Sequence, residues 1–151
     1  MSTATRVYLA HDELMADLDR FTSAVRRTPS GERLRWHLLA AEWTRVAEAF
    51  ARHREDESAR WALLRPGAGP DDRAVLDALE AEQEAIGAAV TLCAALLHRL
   101  VRGGDDPAAE AVAIRVAALR ESVGRHLSHV EADALPLVDR ASVQLRSRTA
   151  S

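Results

Sequence analysis

The stretch WHLLAAEWTRVAEAFARHREDESARW, Trp36 to Trp61, places large apolar side chains at alternating spacings of three and four: Trp36, Leu39, Trp43, Val46, Phe50 and then Trp61. That period lines them up on one stripe of an α-helix, the stripe that faces a core. Followed through the charged run HREDE, the stripe crosses His53 and Glu57 before it reaches Trp61 and Leu64, while Arg54, Glu55 and Asp56 fall on the solvent side. A histidine and a carboxylate in line with three tryptophans calls for a chemical reason.

Outward from this stretch, Pro and Gly cluster at TPSG (28–31), RPGAGPDD (65–72) and RGGDDP (102–107). These are turn signals, and they divide the chain into helices near 6–27, 31–63, 72–101 and 107–145, with 146–151 as a frayed tail. No strand-like alternation competes. Short connections make neighbouring helices antiparallel, so the expected fold is all-α, an up-down-up-down four-helix bundle in a single domain. At 151 residues such a domain buries a core without help from disulfides or metals, so any metal serves chemistry more than folding.

Net charge is −3, with both signs interspersed. That argues against a nucleic-acid footprint and against a polybasic membrane patch. The lone cysteine, Cys93, excludes an internal disulfide and a CxxC motif and reads as an inert buried thiol. The first residues lack the apolar core of a signal peptide, and no uninterrupted apolar run reaches the length of a membrane span. A soluble cytoplasmic protein is expected, of a subunit number the sequence does not reveal. Patterns of the GxSxG, Walker and dinucleotide-binding kinds are missing.

The other three helices have seams of the same kind. Helix 1 reads Val7, His11, Leu14, Leu18, Phe21, Val25; helix 3 reads Leu76, Leu79, Gln83, Ile86, Val90, Cys93, Leu97, Leu100. Helix 4 reads Val112, Val116, Leu119, Val123, His126, after which the best apolar register, Leu135, Val138, Ser142, Leu145, extrapolates back to Glu131. The seam thus gains one residue between His126 and Glu131. A π-bulge would absorb it, and such bulges often mark functional sites. Measured from the turns, His53, Gln83 and His126 lie at matching heights, and His11 sits roughly 6 Å off that level at 1.5 Å per residue.

Three histidines, two carboxylates and an amide therefore converge on one layer of the interior. A satisfied polar network is one reading. Buried carboxylates are expensive unless paired, however, and no Arg or Lys lies on any seam to pair them. A divalent cation supplies the missing charge, and His with carboxylate suits iron, manganese or zinc, iron being favoured.

The order His in helix 1, HxxxE in helix 2 (HREDE) and HxxxxE followed by proline in helix 4 (HLSHVEADALP) resembles the hemerythrin family, specifically its HHE cation-binding domains. The resemblance spans the chain and implies a non-haem di-iron centre inside a four-helix bundle. By that resemblance His11 and His53 hold one iron, His126 the other, and Glu57 and Glu131 bridge. Helix 3 departs from the pattern: where one or two histidines are expected, EAEQEAIG has Gln83 and Gly87. The second iron loses its best ligands, which leaves one or two non-haem ions. His11, His53 and Glu57 form a two-His-one-carboxylate set of the kind that leaves positions open for oxygen chemistry. Glu80 is a candidate substitute ligand, Gly87 leaves room for a small molecule, and His129 is a candidate supporting partner or replacement for His126. His37 and His98 fall away from the layer.

The expected function is binding or activation of dioxygen, peroxide or nitric oxide, extending to oxidation of a small substrate as an oxidoreductase. The competing expectation is a degenerate, metal-poor helical module for sensing, small-ligand or partner binding.

Overall fold

The computed structural model describes residues 3–103 and 105–149, with side chains placed for all of these except 3, 142 and 144–149. Helix α1 spans Thr3–Arg26, α2 Arg33–Leu64, α3 Pro70–Val101 and α4 Asp106–His129; a π-helical turn, Val130–Ala134, leads straight into α5, Leu135–Thr149. α4, the π-turn and α5 form one long rod, which packs with α1, α2 and α3 into an all-helical bundle. Each of α1 to α4 packs on its sequence neighbours, and α1 closes the ring against α4. The expected tail is helical as far as Thr149, and the side chains of Ser142 and Leu145 lie outside the described residues.

The turns follow from their residues. Pro70 opens α3, where the missing N–H costs nothing, and Asp71 and Asp72 lie in its first turn beside the positive end of the helix dipole. The Asp105 side chain caps α4 by accepting from the Ala108 N–H at 3.1 Å. Gly103, at φ +117°, ends α3; a Cβ there would be strained in that backbone region and would meet Arg33 Nη2 at 2.9 Å.

The π-turn is where the seam gained its residue. Pro136 cannot donate to a carbonyl four residues back, and its ring would crowd that carbonyl in a regular helix. The wider turn immediately before it relieves the conflict, with the Leu135 N–H reaching back to Val130 O. Val130, Ala134, Leu135 and Leu137 are buried as a result.

The core falls into two apolar clusters. The larger includes Leu14, Leu18, Phe21, Trp43, Phe50, Ile86, Val123 and Leu127; the smaller is built on Val7, Trp61, Leu76, Leu79 and Val130. On α1, α2 and α3 the boundary between them falls at the polar interruption: His11 between Val7 and Leu14, His53 and Glu57 between Phe50 and Trp61, and Gln83 between Leu79 and Ile86; on the fourth rod it falls between Leu127 and Val130, just past His126. The three tryptophans are core residues, each 2% exposed or less.

By length and composition α3 is apolar enough to cross a membrane, with 22% of its most apolar window buried. The core helix of a soluble protein passes the same test.

Candidate metal centre

The layer between the two clusters is built around Glu57, whose side chain is fully buried. His11 arrives from α1, His53 one turn earlier on α2, Gln83 from α3 and His126 from α4. His11, Gln83 and His126 are buried, and the His53 side chain is 12% exposed. Burial alone would push the Glu57 carboxyl up, but its contacts with His11, His126 and His53 outweigh that and hold it well below the usual carboxylate range. It is an anion inside the protein.

The two oxygens of this anion face different partners. Oε2 accepts from Gln83 Nε2 and from His126 Nε2, the latter at 3.0 Å. Oε1 lies 3.1 Å from His53 Nε2 and 3.7 Å from His11 Nε2, yet none of these three atoms makes a hydrogen bond. The two rings meet edge to face with centroids 5.1 Å apart. For His11 the ring's other nitrogen explains why no bond forms. His11 Nδ1 lies 2.8 Å from Glu131 Oε1; an ionised carboxylate only accepts, so Nδ1 carries the proton and Nε2 turns a lone pair inward. Buried polar atoms without partners are costly. Three of them, from His11, His53 and Glu57, converge within 4.8 Å of one another. A cation is a partner that imidazole nitrogens, in the tautomer with the lone pair inward, and a carboxylate oxygen can share, so this donor set fits a metal ion.

The opposite half is complete as it stands. His126 Nδ1 faces Glu82 Oε2 at 2.9 Å while Nε2 faces Glu57. Both neighbours are acceptors, so both nitrogens donate and the ring is an imidazolium. Burial works against that charge, but the bonds to Glu57 and then Glu82 outweigh it and raise the His126 pKa above its ordinary value. The network runs on to solvent: Glu82 Oε1 accepts from His129 Nδ1 at 2.7 Å, and the His129 side chain is 50% exposed.

The remaining expected residues occupy distinct places. Glu131 stands behind His11, on the far nitrogen, rather than between two metal positions, and its side chain is 33% exposed. Its contact orients the His11 ring, a role that partners of metal-ligating histidines commonly have. Glu80 pairs with Arg65 at 2.7 Å and sits away from the layer, 43% exposed. His129 holds Glu82. His37 and His98 are exposed. Cys93 is buried, and burial pushes its thiol up to about 11.

Two contributors escape a reading by seams. Glu82 precedes Gln83 by one residue, on the flank of α3 that faces α4; the spacing of His126 and His129, both turned to that flank, was the available signal. Arg54, expected on the solvent face, is exposed along its stem but brings its guanidinium over Gly87, where a Cβ would lie 3.3 Å from Nη1. Arg54 and Gly87 line a cavity of about 190 Å³ that reaches in to His53, Glu57, Gln83 and His126.

Comparison with known proteins agrees with this geometry. Neither the curated proteins nor the solved structures offer a match to the chain. Residues 3–138 match the family described as Hemerythrin HHE cation binding domain. With nine-tenths of its length matched and a His/Glu cluster at the centre of its bundle, the chain belongs to the hemerythrin HHE cation-binding domain family.

Proposed function

We propose that this chain is a non-haem iron protein that binds or activates dioxygen, peroxide or nitric oxide at a single ion held by His11, His53 and Glu57. The observation that carries this reading is the asymmetry of Glu57: three partnerless donor atoms on its Oε1 side, and two hydrogen-bond donors already on Oε2. Iron held by two imidazoles and one carboxylate supplies one-electron redox chemistry and retains positions for a small ligand.

The residues of the chain do the rest. Glu131 keeps the proton of His11 on Nδ1, so that Nε2 stays a donor toward the site. Gln83 and His126 fix the Glu57 carboxylate in one orientation and neutralise it from the side opposite the metal position. His126 thereby stands where the positive charge of a second ion would be required. It also begins a hydrogen-bonded chain, through Glu82 to the half-exposed His129, along which a proton held at His126 is connected to solvent. The larger apolar cluster beneath the layer limits water around it.

The test is metal content per chain after anaerobic loading with iron(II), read together with the absorption spectrum before and after exposure to oxygen. One iron per chain and an oxygen-dependent spectrum support the proposal. Two irons per chain would mean that Gln83 and Glu82 serve as ligands. No bound metal under replete conditions would leave the second reading, a metal-poor module, which the completeness of the His126 half favours.

A further inference from the structure

The cavity beside the metal position is unequal along its length. Its inner end is polar, formed by His53, Glu57, Gln83 and His126; its walls are apolar, with Leu14, Phe50, Ile86, Val90 and Val123 contributed by all four sides of the bundle. Its mouth lies between α2 and α3, where Arg54 and Gly87 face each other. At about 190 Å³ it exceeds the roughly 150 Å³ of an engineered apolar cavity that takes up benzene, so a small ring or a short alkyl chain fits.

Arg54 makes the mouth selective. Among the described residues it has no hydrogen bond or ion pair, although α2 and α3 carry Glu55, Asp56 and Glu84 nearby in sequence or height. Gly87 leaves the guanidinium room to lie there: a Cβ at 87 would start 3.3 Å from Nη1, a tight contact that would shift the group by a few tenths of an ångström, and a longer side chain would compete for the same space. A cation without a partner, held over an apolar cavity, lacks only an anion. Guanidinium binds a carboxylate through two parallel hydrogen bonds, which fixes both its position and its orientation.

From this geometry we infer that the cavity binds a small amphipathic carboxylic acid, its carboxylate on Arg54 at the mouth and its apolar body pointing inward, the far end nearest His53 and Glu57. The inference deepens the function proposed above and rests on it for what happens at the inner end. Recognition at the mouth is a property of Arg54 and Gly87 alone.

Hexanoate and its neutral counterpart hexanamide are the probes, titrated by calorimetry into the intact chain loaded with iron(II) and into the same chain after EDTA treatment. Hexanoate is expected to bind about tenfold more tightly than hexanamide, the size of effect a charge-assisted hydrogen bond brings. The variant R54Q is expected to remove that preference in both preparations, R54K to retain part of it, and G87L to weaken hexanoate by displacing the guanidinium. Circular dichroism of each variant establishes that the bundle is folded. Equal affinity for the two probes, or hexanoate bound as well by R54Q as by the unaltered chain, overturns the inference. So does hexanoate binding that vanishes with the metal and ignores R54Q, because the carboxylate is then a ligand of the ion. Arg54-dependent binding in a chain that takes up no iron would uphold the anchor and refute the metal proposal, so the two fail separately.

Discussion

The two oxygens of Glu57 are about 2 Å apart by ordinary carboxylate geometry, and yet they belong to different kinds of structure. On the Oε1 side the Nε2 atoms of His11 and His53 make no hydrogen bond; on the Oε2 side Gln83 and His126 donate. The cause lies one residue further out on each side. Glu131 accepts from the Nδ1–H of His11 and leaves Nε2 bare, whereas Glu82 accepts from Nδ1–H of His126 while Glu57 accepts from its Nε2–H. The same residue type thus has a nitrogen without a hydrogen bond in one half and is a cation in the other, according to what its second nitrogen touches.

The largest effect is expected where both halves meet. Glu57→Gln should bring iron per chain to near zero, because the amide lacks the charge that offsets a divalent ion, and elemental analysis after loading measures it. The sharpest break in the comparison comes next. His53→Ala should lose most bound metal, while His126→Gln should keep it and lower stability by roughly 1–3 kcal/mol, the cost of a buried acceptor losing a donor. Denaturant unfolding together with metal analysis checks both, and equal metal loss in the two variants would mean that the halves are not distinct.

The outer carboxylates should differ in the same sense. Glu131→Gln is expected to weaken metal binding roughly tenfold or more, the usual consequence of disturbing a ligand's hydrogen-bond partner, whereas Glu82→Gln should leave affinity within about threefold. Competition with a chelator reads both.

The metal-free chain should also show the asymmetry against pH. Glu57 is held below its ordinary 4.5, so its contribution is complete above that value and disappears as pH falls below it. His126 is raised above its ordinary 6.5, so its contribution is complete below 6.5 and disappears as pH rises through the raised value. The melting temperature should therefore be highest between the two and decline on either side. Glu57→Gln should flatten both limbs; an unaltered alkaline limb in that variant would show that His126 draws its stability from Glu82 alone. The smallest change belongs to His129→Ala, within about 0.5 kcal/mol for a half-exposed side chain.

Much of the bundle was legible because burial writes itself into the sequence with a period. The four seams place His11, His53, Glu57, Gln83 and His126 in the core by their spacing from leucines and tryptophans, and the structure buries all of them but His53, whose side chain is 12% exposed. The slip after His126 predicts an extra residue in the helix, and the π-turn Val130–Ala134 contains it. Residues on the flanks are harder to read. Glu82 and Arg54 are one residue off a seam, about 100° around the helix, and whether such a side chain reaches inward depends on how close the next helix comes and what that helix leaves uncovered.

The sequence by itself determined that this chain is a four-helix bundle with one polar layer across an apolar interior, since a heptad-like stripe broken at matching heights admits little else. Only the tertiary structure decided what each polar residue does in that layer. Helix rotation turned Glu131 behind His11, drew Glu80 away to Arg65 and laid Arg54 across Gly87. Those outcomes depend on distances of an ångström or two between helices, and hydrogen-bond roles change over that range while hydrophobic periodicity does not.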